Sequence, residues 1–163
     1  MTLAELNTSD RGAFLDAIGW VFEHSPWVAE QVCDGRPYPS LEVLHRAMVS
    51  QVETAPATRQ LALLRAHPDL GTRARISAAS AVEQSGAGLD RLTPDEFERF
   101  ERLNSAYRDK FGFPFLFAVK GSTKYDILQA LERRIQAPPD AERQEALRQV
   151  YRIAEFRLRD TIK

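Results

Sequence analysis

The chain has 163 residues, of which 44% are hydrophobic and 28% are charged, and its 22 basic and 23 acidic residues leave a formal net charge of -1. A chain of this length buries roughly 70% of the surface that its unfolded form exposes, so it can form its own hydrophobic core. Nucleic-acid-binding domains normally carry a clustered excess of basic residues, and the balanced charge therefore argues against a nucleic-acid partner.

The cysteine and histidine residues bear on the cellular compartment and on whether a metal site is expected. Cys33 is the only cysteine, which excludes an intrachain disulfide and favours a reducing compartment. The chain contains neither a signal-like N-terminal segment nor 18 consecutive apolar residues, so we expect a cytoplasmic protein without a membrane partner. The three histidines, His24, His45 and His67, lack the short spacing of zinc ligands, and we expect no metal site.

Hydrophobic periodicity sets the expected fold class. Apolar residues recur at helical spacing in most segments, and alternation with a period of two is almost absent, which predicts an all-α bundle of seven or eight helices. We expect one domain over residues 1–163, because no change in composition marks a second. Ser9 or Asp10 is predicted to cap a first helix that ends near His24, and Ser25 to cap the next.

Capping residues and prolines delimit the later helices. Ser40 is predicted to cap a helix, and a following helix must end near His67, because Pro68 disfavours helical backbone in the residue before it. Thr93 and Glu96 form a predicted capping box that opens a long helix. The remaining expected features are an end of that helix at Gly112, and two further helices on either side of Ala137, Pro138 and Pro139.

The run from His67 to Gly71 is the first of three segments that break the helical pattern. Pro68 limits the motion of the preceding imidazole, and an acidic residue follows two positions on. Because an imidazole titrates nearest to neutral pH, a fixed histidine suits proton transfer. The alternative is a histidine that interacts with the last carbonyls of its helix.

The second segment surrounds Ser80 and Glu83. These two residues fit a capping box, which is the structural interpretation of both. Gly86 and Gly88 interrupt the helix that the box would open, and they allow another backbone or a ligand to approach Glu83 and Gln84 closely. A structural and a ligand-binding role are therefore both open.

The third segment, residues 111–121, is apolar and strand-like, but no partner strand is evident elsewhere in the chain. Its backbone N–H and C=O groups need partners, and a polar ring-shaped ligand could supply them. The alternative is a buried hydrophobic linker between helices.

Several motifs in the same order resemble those of the 2-oxo-4-hydroxy-4-carboxy-5-ureidoimidazoline (OHCU) decarboxylase family of urate breakdown. The resemblance spans nearly the whole chain. Its motifs are Phe22–Trp27, Arg36-Pro37, the HPDLG run from His67, Glu83-Gln84 with Ala87-Gly88-Leu89, the FGFPF run from Phe111, and Val119-Lys120-Gly121.

This resemblance implies an all-α homodimeric enzyme that needs no metal or organic cofactor and converts OHCU to (S)-allantoin. It places the family's essential histidine on His67 and its partner carboxylate on Glu83. The implied substrate-binding positions are Pro68, Ser80, Gln84, the backbone of Phe115, Leu116, Phe117, Ala118 and Val119, and Arg157, with Arg152 and Arg159 close to the last of these. The competing hypothesis is a non-catalytic helical module that binds allantoin or a related purine catabolite.

Overall fold

The computed structural model describes residues 1–71 and 92–163. Within these two ranges the backbone forms eight α-helices, one short 3-10 helix and no β-strand, which confirms the all-α class. The α-helices are α1 (Leu3–Thr8), α2 (Arg11–Ile18), α3 (Trp27–Val32), α4 (Leu41–Glu53), α5 (Ala57–Ala66), α6 (Pro94–Phe111), α7 (Lys124–Arg134) and α8 (Pro139–Thr161), and the 3-10 helix is Cys33–Gly35.

The chain forms two compact units. Residues 1–66 and 150–163 make up the first, and residues 67–149 make up the second. Helix α8 contributes its first part to the second unit and its remainder to the first.

The first helices of the chain differ from the sequence prediction. Asp10 caps α2 as expected, by accepting a hydrogen bond from the Ala13 amide at 2.8 Å. The predicted end near His24 is wrong, because α2 ends at Ile18 and the chain continues in turns to His24, whose φ of 45° is not helical. These turns bury Val21 and Phe22, so the apolar pattern continues although the helix does not.

Two other helix starts near the N-terminus also differ from the prediction. A short helix, α1, precedes α2 and is capped by Thr2 in a capping box with Glu5. Ser25 does not cap α3, because its hydroxyl donates to the Glu23 carbonyl at 2.9 Å, and α3 has no side-chain cap.

Helices α4 and α5 follow the prediction. The Ser40 hydroxyl caps α4, whose Leu44, Met48 and Val52 are fully buried. Helix α5 ends at Ala66, directly before His67. Proline at position 68 thus ends the helix as its steric effect predicts.

The loop after the 3-10 helix is tied down through Tyr38. The Asn7 side chain bonds both the N–H and the C=O of Tyr38, at 2.8 and 2.9 Å. The buried Tyr38 hydroxyl donates to the Val32 carbonyl at 2.5 Å, and burial raises the pKa of this phenol. A tyrosine at this position therefore anchors the loop to the end of α3.

In the second unit, the ends of α6 match the prediction. Thr93 and Glu96 form the capping box, and Gly112 ends the helix in the left-handed conformation with a φ of 76°. Only glycine adopts such a φ without steric cost. The helical backbone therefore ends at Gly112, and the extended segment follows it.

The extended segment has no partner strand among the described residues, and side chains form hydrogen bonds with its backbone instead. Arg134 donates to the Leu116 carbonyl at 2.7 Å. The Ala118 amide donates to the Gln149 side chain at 2.9 Å. Helices α7 and α8 therefore bind the backbone of this segment in the way that a neighbouring strand would.

A buried polar cluster fixes Arg134 itself. Its guanidinium pairs with Glu142 at 2.6 Å and lies 4.6 Å from the centre of the Phe115 ring, and both charged side chains are at least 96% buried. The Tyr107 hydroxyl donates to the same carboxylate at 2.5 Å. Burial, and next the hydrogen bond to Glu142, raise the pKa of Tyr107, so it stays a neutral donor.

Replacing Glu142 by Gln should lower the free energy of unfolding by about 3–5 kcal/mol, because it leaves Arg134 as an unpaired buried charge. Urea unfolding followed by far-UV circular dichroism measures the change. Glu155→Gln is the matched control, because it breaks an ion pair whose side chains are 38% and 47% exposed, and it should cost less than about 1 kcal/mol. Equal losses in the two variants would contradict a stabilising role for the buried pair.

Replacing Tyr38 by Phe should lower the free energy of unfolding by about 1 kcal/mol, because the buried Val32 carbonyl loses its donor. The same substitution at Tyr125, which is 61% exposed, is the control and should leave the unfolding midpoint unchanged. No difference between the two variants would show that the Tyr38 hydroxyl contributes nothing.

Candidate active site

His67 is the first residue after α5 and belongs to the second unit. Its side chain is almost fully enclosed, with the residue 5% exposed, whereas the adjacent Pro68 is exposed. Its backbone position is limited on one side by the last residue of α5 and on the other by the pyrrolidine ring of Pro68. Burial of the imidazole shields it from bulk water.

The turn after His67 is held by the carboxylate of Asp69. Its Oδ1 atom accepts hydrogen bonds from the Gly71 amide at 2.7 Å and from the Asn104 side chain at 3.0 Å. Its Oδ2 atom pairs with Arg108 of α6. The Asp69 side chain thus fixes the shape of the turn and also binds it to α6, more than thirty positions away in sequence.

These donors also set the charge of Asp69. Burial alone would raise the pKa of this carboxyl group, but the hydrogen bonds from Asn104, Gly71 and Arg108 together lower it below its ordinary value. Asp69 is therefore ionised at neutral pH. Sequence reasoning missed this cluster, because Asn104 and Arg108 lie 35 and 39 positions from Asp69 and no local pattern connects them.

The predicted substrate-binding backbone, Phe115–Val119, lies in the second unit as well. Phe115, Leu116 and Ala118 are buried, while Phe117 and Val119 are partly exposed. The Leu116 carbonyl and the Ala118 amide are already bonded to protein side chains. The segment is therefore a rigid wall whose accessible side chains are Phe117 and Val119.

Arg157 lies on α8, in the part that belongs to the first unit. Its Nη1 atom is 2.7 Å from Glu23 and 3.2 Å from the Val21 carbonyl, and its guanidinium covers the ring of Trp20 at 5.4 Å. The neighbouring Arg159 instead pairs with Glu42 and Glu155. Arg157 is thus held in one position.

The structure brings His67, Pro68 and the Phe115–Val119 segment into one unit and places Arg157 in the other. The remaining predicted site residues lie outside the described residues. These are Ser80, Glu83 and Gln84.

Neither metal-binding clusters nor membrane spans occur in the described ranges. Residues 1–71 and 92–163 contain no group of three or more His, Cys, Asp or Glu side chains placed to hold a metal ion. Across the same ranges, no helix combines the length and apolar character needed to span a bilayer.

Comparison with known proteins relates this arrangement to one family. The OHCU decarboxylase family model matches residues 7–159. The 2-oxo-4-hydroxy-4-carboxy-5-ureidoimidazoline decarboxylase of Haloferax volcanii is 47% identical over 97% of this chain and 94% of its own length. The uric acid degradation bifunctional protein PucL of Bacillus subtilis is 47% identical over 99% of this chain, which corresponds to 33% of that protein.

Solved structures agree with this relationship. The crystal structure of an (S)-allantoin synthase superposes with a TM-score of 0.85 and 35% identity, covering 99% of this chain and 54% of that one. An OHCU decarboxylase structure determined in the presence of (S)-allantoin has a TM-score of 0.65 at 24% identity, covering 86% of this chain and 93% of that one, which supports the shared fold alone. Because the family model and relatives of nearly equal length match almost every residue, this chain belongs to the OHCU decarboxylase family.

Proposed function

We propose that this chain catalyses the decarboxylation of OHCU to (S)-allantoin, the last step in the conversion of urate to allantoin. The observation that carries the proposal is the buried imidazole of His67, the residue that follows the end of α5 and precedes Pro68. The identity to named OHCU decarboxylases over almost the whole chain supports it.

The substrate itself contains the electron acceptor for this reaction. Its carboxylate and a hydroxyl group share one ring carbon, next to a C=N bond that takes up the electron pair released with CO₂. The protein therefore has to orient the carboxylate, move protons and stabilise the developing enol-like species. This is the reason for proposing catalysis without metal or organic cofactor.

In the proposed mechanism His67 works with Glu83. The pair moves the hydroxyl proton as the bond to CO₂ breaks, with the imidazole as the proton carrier. The neighbouring ring carbon, which bears the ureido group, is then protonated on one face while the hydroxyl group loses its proton and becomes a carbonyl, and this gives (S)-allantoin. Proposed contacts to the ring and ureido groups come from Pro68, Ser80, Gln84 and the Phe115–Val119 wall.

Arg157 is proposed to bind the substrate carboxylate. A guanidinium group has five N–H donors in a planar fork that matches a carboxylate. The contacts with Glu23 and Val21 involve Nη1 alone, so Arg157 can bind a ligand while Glu23 holds it in position.

We further propose that residues 1–163 act as one functional domain, that the enzyme is a cytoplasmic homodimer, and that its partner is its small-molecule substrate. The family model supports the first point, because it covers both compact units.

Freshly prepared OHCU should give (S)-allantoin faster in the presence of the protein than in its absence, and the product should be optically active. Circular dichroism measures both the rate and the chirality. Racemic product formed at the uncatalysed rate would contradict the proposal. If allantoin nevertheless binds, the result would favour a non-catalytic binding module.

His67→Asn should abolish this catalysis, because it removes the proton-carrying group while keeping a side chain of similar polarity. His24→Asn is the matched control: this histidine is exposed and has a positive φ, a conformation that asparagine tolerates. The control should keep full activity. Full activity in His67→Asn, with its helicity intact, would remove His67 from the mechanism.

Arg157→Gln should raise KM about 10-fold or more, since a charge-assisted hydrogen bond contributes about 1.5–3 kcal/mol. Arg159→Gln, which breaks exposed ion pairs on the same helix, is the comparison and should leave KM unchanged. An unchanged KM in both variants would exclude Arg157 as the carboxylate ligand.

A further inference from the structure

We propose that Asp69 is a positioning residue for His67, which fixes the catalytic imidazole by anchoring the turn between His67 and Gly71 to α6. This inference rests on the proposed function, because it assigns Asp69 a part in that reaction without direct contact to the substrate.

The donors to Asp69 come from two parts of the second unit. Gly71 belongs to the same turn, so its hydrogen bond fixes the local backbone conformation. Asn104 and Arg108 lie four positions apart, on one face of α6, and together they fix both carboxylate oxygens. The turn is thereby fixed in its internal shape and in its position relative to the helix.

The buried environment of Asn104 indicates that its side chain is there to bind Asp69. This residue is 3% exposed and stands between the buried Phe100 and Tyr107 on α6, where an apolar side chain would pack without polar cost. Its Nδ2 group donates to Asp69, whereas its buried Oδ1 atom has no hydrogen-bond partner within the described ranges. Since an unsatisfied buried acceptor is unfavourable, the contact with Asp69 is what the amide contributes at this position.

Only Pro68 separates Asp69 from His67, and the pyrrolidine ring restricts the backbone between them. The backbone at His67 is therefore restrained on one side by the end of α5 and on the other by the turn that Asp69 holds. Misplacing a reacting group by about 1 Å can lower the rate about 100-fold. Loss of the Asp69 contacts should therefore lower the rate by displacing the imidazole of His67.

The test compares Asp69→Ala, Asp69→Asn and Arg108→Gln with the control Arg99→Gln. Arg99 lies on the same helix, is about as exposed as Arg108, and pairs with Glu132 rather than with the turn. Rates are expressed per folded protein, with the folded fraction taken from urea unfolding curves at the assay temperature.

Asp69→Ala should lower kcat at least 10-fold with KM changed less than threefold, because the defect lies in the placement of the proton carrier rather than in binding. Asp69→Asn, which keeps an acceptor for Gly71, should lose less. Arg108→Gln should lower kcat severalfold, while Arg99→Gln should match the wild-type protein. A kcat for Asp69→Ala within twofold of wild type would overturn the proposal.

The ring resonance of His67 provides a readout that reduced stability does not change. The chain has three histidines, so the His67→Asn variant identifies this resonance by its disappearance from the NMR spectrum. It should shift or broaden in Asp69→Asn and Arg108→Gln and stay unchanged in Arg99→Gln. An unmoved resonance in both test variants would contradict the proposal.

Two outcomes need separate interpretation. If Asp69→Ala does not fold, the comparison of Arg108→Gln with Arg99→Gln decides, and equal kcat values overturn the proposal. If the wild-type protein itself produces no (S)-allantoin, the proposed function fails. In contrast, an active wild type with unaffected Asp69 and Arg108 variants refutes only the positioning role.

Discussion

Buried backbone groups must be paired, and in this chain that constraint falls most heavily on the extended segment around Phe115. Arg134 meets it by donating to the Leu116 carbonyl while its charge is compensated by Glu142. Both charged side chains are nearly inaccessible to water, so each depends on the other for a favourable environment. An extended segment can therefore exist inside a helical unit without a partner strand.

The turn after α5 is held according to the same principle. Asp69 accepts hydrogen bonds from Asn104 and pairs with Arg108, much as the extended segment is bound by Arg134 and Gln149. In both places, helices provide a rigid frame and long polar side chains fix an irregular backbone to it. Irregular segments on a rigid scaffold commonly carry binding and catalytic groups. The HPDLG run from His67 and the FGFPF run from Phe111 lie on these two segments of the chain.

The charged groups of this protein act through direct contacts rather than through a long-range electrostatic field. A net charge of -1 provides no long-range attraction for an anionic substrate, so recognition of a carboxylate requires a cation in direct contact. The proposed cation is Arg157, whose guanidinium is held in place by Glu23 and the Val21 carbonyl while Trp20 covers one face. Holding the side chain beforehand reduces the entropy that binding must remove.

Local residue patterns were sufficient to predict the all-α class, several helix boundaries and the family. Asp10, Ser40 and Thr93 cap helices, and Gly112 ends one, because each of these effects depends on residues within one turn. The predicted end of α2 is wrong because the apolar pattern outlasts the helix. The turns after Ile18 bury Val21 and Phe22 at the spacing that a helix would also give.

The partners of the irregular segments, in contrast, follow from how the helices pack. Asp69 meets Asn104 and Arg108, 35 and 39 positions away, and the Leu116 carbonyl meets Arg134, 18 positions away. No local pattern encodes such contacts, since they arise when separate helices pack and place particular side chains opposite one another. Residue types and spacing identified His67 as a candidate, whereas packing determined what holds it.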